Sequence, residues 1–169
     1  KHSQDIGLPM DRWQSCDKPP QTVIEGQYCR LEPFHLEQHS DGLYDAFLLD
    51  SEEQNWTYLP YGPFKNRDDF KRWCHMQCMG DDPLFHTVID EPTGQLSGLA
   101  SYLRITPETG VIEVGHIHFS TLIQSRRQAS EAMYLMMRRV FDELGYRRYE
   151  WKCDALNAPS CRAAQRFGF

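Results

Sequence analysis

The chain has 169 residues, of which 40% are hydrophobic and 25% are charged, as is typical of one globular domain with a sizeable core. Its formal net charge of −6 argues against a broad phosphate-binding surface, so we expect no nucleic-acid partner. No window approaches the roughly 18 consecutive apolar residues of a membrane helix, and no apolar segment follows the first residues. We therefore expect neither a membrane partner nor a signal peptide.

The six cysteines are scattered along the chain, and no CxxC pair is present. In a chain without a secretion signal, this pattern predicts reduced thiols and a cytoplasmic location. Cys74 and Cys78 flank His75 at helical spacing, but no second pair of ligands is nearby. The spacing therefore favours buried cysteines over a metal site, and we expect no metal.

The first half of the chain predicts an arm, a strand pair and two helices. Residues 1–21 carry three prolines and little periodicity, so we read them as an N-terminal arm before a domain over residues 22–169. Residues 22–31 indicate a hairpin or two short strands. Apolar residues at helical spacing predict one helix over residues 35–49 and another from the N-cap Asn66 to about residue 79.

The second half predicts three strands, a long helix, a strand and a final helix. Short turns join the runs 84–89, 96–105 and 111–119, so these strands should form an antiparallel meander. The long helix is predicted over residues 127–144, the next strand over 146–153 and the last helix over 158–167. A strand that returns after a long helix should lie parallel to its neighbour. The expected fold is α+β, with a mixed, mostly antiparallel central sheet and helices on both faces.

The start of the long helix carries two arginines, Arg126 and Arg127. Cations at the positive end of a helix cost about 0.3–1 kcal/mol each, unless an anion binds there. A pyrophosphate could accept hydrogen bonds from the free backbone N–H groups and from both guanidinium groups. The alternative is two solvated arginines with Ser125 as the helix cap.

This segment resembles the cofactor loop of the GNAT acetyltransferase superfamily, Q/R-x-x-G-x-G/A. Gln124 matches the first position and Ala129 the last, whereas Arg127 stands where the family usually has glycine. A side chain at that position bears on how closely the backbone approaches the phosphates. The resemblance implies acetyl-CoA as co-substrate and the following binding residues: His118, Phe119, Gln124, Arg126, Arg127, Gln128, Ala129 and Ser130.

The C-terminal segment is similar to the RimJ/RimL-type branch of the superfamily. It contains an N-x-x-S run, Asn157 to Ser160, and its last helix ends in a Gly-Phe pair. The branch implies that Asn157 and Ser160 face the pantetheine or phosphate arm of the cofactor. Either residue could also cap the helix, and capping is compatible with binding. The resemblance covers roughly residues 23–169.

The resemblance implies acetyl transfer to a primary amine, either a small molecule or a protein N-terminus, by direct attack in a ternary complex. The run from Glu113 to His116 resembles the E-I-G-Y/H run on the branch's central strand, which makes Glu113 the candidate base. The alternative is an exposed strand carboxylate. In a regular strand Glu113 faces away from His116 and His118, although a bulge near Gly115 would change that. For the two histidines, structural or solvent-facing roles are favoured.

Three further expectations concern the acceptor, the activity and assembly. Trp56, Tyr58 and Tyr61 form an aromatic loop in a region that often borders the acceptor site of the superfamily, but core anchoring is the favoured interpretation. A competing hypothesis, suggested by Arg127, is a catalytically weak GNAT-fold protein that binds acyl-CoA or a partner. The branch normally continues with further strands beyond its Gly-Phe pair, so we expect a domain lacking them, which a homo-oligomer could complete.

Overall fold

The centre of the molecule is a six-stranded sheet in the order β1-β2-β3-β4-β5-β6. The computed structural model describes residues 4–169, so residues 1–3 of the predicted arm lie outside it. The strands are β1 (Ile24–Glu25), β2 (Cys29–Pro33), β3 (Leu84–Asp90), β4 (Leu96–Thr106), β5 (Val111–Phe119) and β6 (Arg148–Trp151). All neighbours are antiparallel except β5 and β6, which are parallel. The predicted mixed sheet is confirmed.

Helices cover both faces of this sheet. They are α1 (Leu36–Phe47), α2 (Arg67–Gln77), α3 (Arg127–Arg138) and α4 (Ala158–Phe167), with a short 3-10 turn at Gln54–Trp56. An aromatic core that includes Phe47, Phe70 and Phe85 lies under α1 and α2. A second core lies under α3 and includes Ile112 and Met136. Because both faces are covered, every residue of β3 is buried. No helix within residues 4–169 has the length and apolar character needed to span a membrane.

The long helix is shorter as an α-helix than the sequence predicted. It ends at Arg138 instead of residue 144, and one π turn covers Arg139–Glu143. The π turn begins at the buried Arg139, which donates to the carbonyls of Thr22 (2.9 Å) and Val23 (3.1 Å). These bonds tie the helix end to the segment that enters β1, a long-range contact that apolar periodicity does not report.

The final strand is also shorter than predicted, because only four of its residues pair with the neighbouring strand. β6 covers four residues instead of 146–153, and it pairs only with Val111–Val114 of β5. Residues 4–23 form no helix or strand. Trp13 fastens this arm to the β4–β5 turn, donating from Nε1 to the Glu108 carbonyl at 2.8 Å.

Candidate functional site

β5 and β6 are paired along only the first half of β5. Their register runs from Val111 opposite Arg148 to Val114 opposite Trp151, where β6 ends. β5 continues to Phe119 and is held on its other side by β4. Along residues 115–119, one edge of this central strand therefore meets no other strand of the described chain. Such an edge offers main-chain N–H and C=O groups to a ligand.

A β-bulge lies where the two strands part. Leu99 and Ser101 of β4 are two residues apart, yet their partners in β5, His118 and Gly115, are three apart. His116 lies within the extra span and has a left-handed φ of 51°. An extra residue shifts the alternation of side chains beyond it. This is the bulge near Gly115 that the sequence analysis named as the condition for Glu113 and the histidines to share a face.

The bulge brings Glu113 and both histidines to the α1–α2 face of the sheet. The two neighbours of Glu113 in β5 pack in the core under α3, so Glu113 points to the opposite face. Beyond the bulge, the His116 ring lies 5.0 Å from the Phe85 ring, and the His118 ring stacks on Phe47 at 4.0 Å. Three polar side chains that a regular strand would separate therefore share one face.

Glu113 is a buried carboxylate, with only 4% of its side chain exposed. Its Oε2 accepts hydrogen bonds from Arg104 Nη1 and Lys152 Nζ, both at 2.5 Å. Its Oε1 has no hydrogen-bond partner among residues 4–169, and it lies 4.0 Å from where a Cβ on Gly115 would stand. The alternative of an exposed strand carboxylate is therefore wrong, whereas the role of base stays a prediction.

The His118 side chain is part of the core. It lies between Phe47 and Trp56, and neither ring nitrogen has a hydrogen-bond partner in the described chain. Burial lowers the pKa of His118 to about 3, so the ring is neutral near neutral pH. Any contact of His118 with a cofactor would have to come from its main chain. The main chain of Phe119 is already in use, since its carbonyl accepts from Gln124 Nε2 at 2.8 Å.

The start of α3 leaves its first N–H groups without a side-chain cap. Arg126 is the N-cap and makes no capping hydrogen bond. The alternative cap, Ser125, is wrong, because this residue precedes the cap position and has a φ of 58°. Arg126 is exposed, and the Arg127 guanidinium carbon lies 4.6 Å from the centre of the Tyr28 ring. Free N–H groups beside a guanidinium form a donor set that suits a pyrophosphate.

The other predicted binding side chains of this region are bonded within the protein, except Ala129, which is buried. The pairs are Gln124 Nε2 with Asn55 Oδ1 (2.7 Å), Gln128 Nε2 with Asp90 Oδ1 (2.7 Å) and Arg166 Nη2 with Ser130 Oγ (3.3 Å). These contacts hold the loop and the helix start in place. To contact a cofactor as predicted, these residues would have to use main-chain groups, or their side chains would have to leave their present hydrogen-bond partners.

Asn157 and Ser160 join α4 to the end of β6. Asn157 caps α4, its Oδ1 accepting from the Ser160 N–H at 3.2 Å. Ser160 Oγ accepts from Trp151 Nε1 at 3.0 Å, and Trp151 is the last residue of β6. Capping by Asn157 is confirmed. Contact of either residue with a cofactor stays a prediction, although both lie next to the point where β5 and β6 part.

A cleft of about 330 Å³ opens on the α1–α2 face beside the bulge. Its lining includes Pro60, Tyr61, Trp73, Gln77, Phe85 and His116. Tyr61 Oη lies 3.2 Å from His116 Nδ1. Burial raises the pKa of Tyr61 and, opposed by the nearby Glu113 charge, lowers the pKa of His116, so both rings are neutral near neutral pH.

The three aromatic residues of the predicted loop lie in different environments. Trp56 is a core residue, as expected, and Tyr58 is exposed and donates to the Leu156 carbonyl at 3.0 Å. Tyr61 packs against the aromatic core and also lines the cleft. Sequence reasoning missed Trp73 and Phe85 as site residues because each lies in an apolar run that is equally typical of a core.

All six cysteines are free thiols, and Cys74 and Cys78 are buried, as the sequence predicted. Cys153 and Cys161 lie beside each other, with 3.7 Å between their sulfur atoms. Among residues 4–169 no group of three or more His, Cys, Asp or Glu side chains could hold a metal ion.

Comparison with known proteins gives one family. A family model for the acetyltransferase (GNAT) domain matches residues 29–169. The crystal structure of a GCN5-related N-acetyltransferase from Brucella melitensis has a TM-score of 0.92 and 44% identity, over 95% of this chain and 72% of that chain. A GNAT-family structure from Chromobacterium violaceum has a TM-score of 0.88 and 36% identity, over 100% of this chain and 83% of that chain.

More distant structures share the fold alone. One is RimL, a ribosomal L7/L12 alpha-N-protein acetyltransferase, which has a TM-score of 0.68 and 14% identity, over 94% of this chain and 83% of that chain. No curated protein sequence matched the chain.

Proposed function

Because the chain belongs to the acetyltransferase (GNAT) family and is an acyltransferase, we propose that it moves an acetyl group from acetyl-CoA to a primary amine. The reaction is direct attack in a ternary complex, since no covalent relay through the protein is needed when both reactants are held together. The observation that carries the proposal is the open edge of β5 beside an uncapped helix start that bears two arginines.

Bound acetyl-CoA supplies the activated acetyl thioester. The first-turn N–H groups of α3 and the Arg126 guanidinium would bind its pyrophosphate. Arg127 replaces the usual glycine of the family, but its guanidinium packs over Tyr28 in the β1–β2 turn. This packing draws the side chain toward that turn, so the substitution is compatible with binding at the main chain.

Glu113 is the proposed proton acceptor, acting directly or through one water. Its Oε2 is held by Arg104 and Lys152, which fix the orientation of the carboxylate. Its Oε1 is free to accept a proton or to orient a water. Because Glu113 faces the same side of the sheet as the cleft, an amine bound there could lose its proton to this carboxylate.

We also propose membership of the RimJ/RimL-like branch, on the positions of Asn157 and Ser160 beside the open edge. A second candidate is a catalytically weak protein that binds acyl-CoA. The specific observation in its favour is that two cations engage Glu113 Oε2, which leaves only one oxygen of the carboxylate for chemistry.

Calorimetry with acetyl-CoA tests the binding site. We expect the double variant Arg126→Ala/Arg127→Ala to bind acetyl-CoA at least about tenfold more weakly than the wild type, since the charge-assisted contact of Arg126 and the nearby positive charge of Arg127 are both removed. Arg138→Ala, at the opposite end of α3, is the matched control and should bind normally. Equal affinity of the double variant and the wild type would remove the proposed site.

Acetyl transfer to a panel of primary amines tests the reaction. Thioester consumption that depends on the amine, with acetylated product seen by mass spectrometry, supports the transferase. Tight binding of acetyl-CoA without transfer to any amine would instead support the weak-binder alternative.

A further inference from the structure

Four rings enclose the cleft beside the bulge. The ring centres of Tyr61 and Trp73 are 4.2 Å apart, and those of Trp73 and Phe85 are 6.0 Å apart. His116 completes the wall, with its ring centre 5.0 Å from Phe85 and 5.6 Å from Tyr61. The volume of about 330 Å³ is at the lower end for small-molecule pockets, roughly 300–1,000 Å³.

The wall of this cleft carries no charged side chain. None of its lining residues is Asp, Glu, Lys or Arg. Tyr61 and His116 can ionise, but burial favours the neutral form of both. A charged substituent placed here would lose its hydration and gain no partner of opposite charge. An uncharged apolar or aromatic group would instead pack against the rings.

Charge appears only at the inner end of the cleft, toward β5. His116, the lining residue that β5 contributes, marks this inner end and lies two residues beyond the last β5–β6 pair. Glu113 lies on the same face of β5 as His116, and Arg104 and Lys152 both bond its Oε2, so its Oε1 stays open to a further cation. One cationic group could therefore be accepted at this end and nowhere else along the wall.

We propose that the cleft binds the acceptor, and that this acceptor is a small primary amine on an uncharged apolar or aromatic body. The inference rests on the acetyl transfer proposed above. The amine nitrogen lies at the inner end and the body lies between Tyr61, Trp73 and Phe85. In the transfer, the nitrogen bonds to the acetyl carbonyl carbon as the carbon–sulfur bond breaks. Glu113 takes the first proton from the bound ammonium and later releases it to solvent. The second proton of the nitrogen passes to the leaving thiolate as the amide forms.

The first experiment compares three acceptors of different charge: 2-phenylethylamine, 1,5-diaminopentane and the peptide Ser-Glu-Ala. We expect kcat/KM for 2-phenylethylamine to exceed the other two values by about tenfold or more, because only this amine leaves no unpaired charge against the rings. Preference for the diamine or the peptide would overturn the inference and leave the proposed acetyl transfer standing.

The second experiment places a charge on the rim. Gln77 is an exposed lining residue, and its neighbour Met76 is exposed but does not line the cleft. We expect Gln77→Glu to shift the kcat/KM ratio of diamine to 2-phenylethylamine upward by roughly two- to fivefold, as for a partly solvated ion pair. Met76→Glu is the matched control and should leave the ratio unchanged. Equal ratios in both variants would contradict the assignment of the cleft.

Calorimetry with 2-phenylethylamine tests binding of the amine in the cleft independently of acetyl transfer. We expect the amine to bind the CoA-saturated protein, and Trp73→Leu to weaken this binding while acetyl-CoA affinity is retained. If acetyl-CoA binds but no amine is acetylated, the proposed function fails. Binding of 2-phenylethylamine that Gln77→Glu alters and Met76→Glu does not would then still support the cleft, whereas absence of binding would overturn it.

Discussion

Glu131, in the second turn of α3, holds the β1–β2 turn through the main chain. Its Oε1 accepts from the Gln27 N–H at 2.9 Å, and its Oε2 accepts from the N–H groups of Tyr28 (2.6 Å) and Cys29 (2.8 Å). A Cβ on Gly26 would stand 2.8 Å from Oε2, so the turn fits closely around the carboxylate. Replacing Glu131 therefore tests how much of the stability depends on one partly buried carboxylate.

The cost of Glu131→Gln follows from these bonds. Glutamine keeps one carbonyl oxygen, so two charge-assisted bonds become neutral and at least one N–H donor faces an NH2 group. Bonds to a charged group contribute about 1.5–3 kcal/mol and neutral ones about 0.5–1.5, so weakening two bonds by about 1–1.5 kcal/mol each gives an expected loss of about 2–3 kcal/mol at pH 7. The third donor, the exposed Gln27 N–H, can bond water instead and adds little to this loss. Glu25→Gln removes the same charge from an exposed position in β1, and it should change the free energy of unfolding by less than about 0.5 kcal/mol.

The loss should depend on pH. Burial alone would raise the pKa of Glu131, but the hydrogen bonds from Gln27, Tyr28 and Cys29 together lower it below its usual value of 4.5. A carboxyl group with a lowered folded-state pKa stabilises the protein above its unfolded pKa, and this stabilisation is lost as pH falls through the folded pKa. The difference between wild type and Glu131→Gln should therefore shrink below pH 4.5.

Urea unfolding at pH 7 and at a pH below 4 measures both effects, provided that the m-values agree. The reasoning is refuted if Glu131→Gln is no less stable than Glu25→Gln at pH 7. It is also refuted if the difference between the two variants stays constant as the pH is lowered.

Three further predictions address the base, the paired thiols and the N-terminal arm. Glu113→Gln keeps the shape but removes the charge, so kcat should fall by about 100-fold or more and the pH–rate profile should change. The sulfur atoms of Cys153 and Cys161 are 3.7 Å apart. Treatment with a small-molecule disulfide should therefore join these two cysteines to each other, seen as the loss of two hydrogens by mass spectrometry. Gly110→Ala places a Cβ 2.3 Å from the Trp13 ring at a φ of 62°, so it should lower the free energy of unfolding by about 1–3 kcal/mol.

Each of these has a matched control. Glu150→Gln removes a neighbouring carboxylate that also binds Lys152, and it should retain the pH–rate profile; an unchanged kcat in Glu113→Gln would rule out the base. Cys153→Ser should prevent the mass change, and crosslinking that persists in this variant would contradict the pairing. Gly94→Ala has a similar φ of 69° but no atom within 4 Å of its Cβ, so an equal loss there would show that the Trp13 contact contributes nothing.

Helices and strands whose ends are set by nearby capping or turn residues could be predicted from sequence. Asn66 caps α2, its Oδ1 accepting from the Asp69 N–H at 2.9 Å, and Asn157 caps α4. The strand Val111–Phe119 and the helix Ala158–Phe167 have the predicted bounds. In each case the signal lies within a few residues of the boundary, where caps and turns act.

Elements whose ends depend on distant partners could not be predicted in the same way. β6 stops where β5 parts from it, and α3 changes to a π turn at Arg139, which reaches the segment before β1. The cleft, too, depends on contacts between residues that are distant in sequence. Tyr61, Trp73 and Phe85 come from a loop, a helix and a strand, and each is individually typical of a core. Only packing brings their rings around His116, a residue for which the sequence favoured a structural role.

Because of the bulge in β5, the pairing of β4 with β5 does not depend on His116. Ser101 pairs with Gly115 before the bulge and Leu99 pairs with His118 after it, so the ladder is in register on both sides of the extra residue. Deleting His116 would leave both halves of the ladder aligned and take away only the inner wall of the cleft. Changes at this one position can therefore reshape the cleft without re-packing the strands on either side of it.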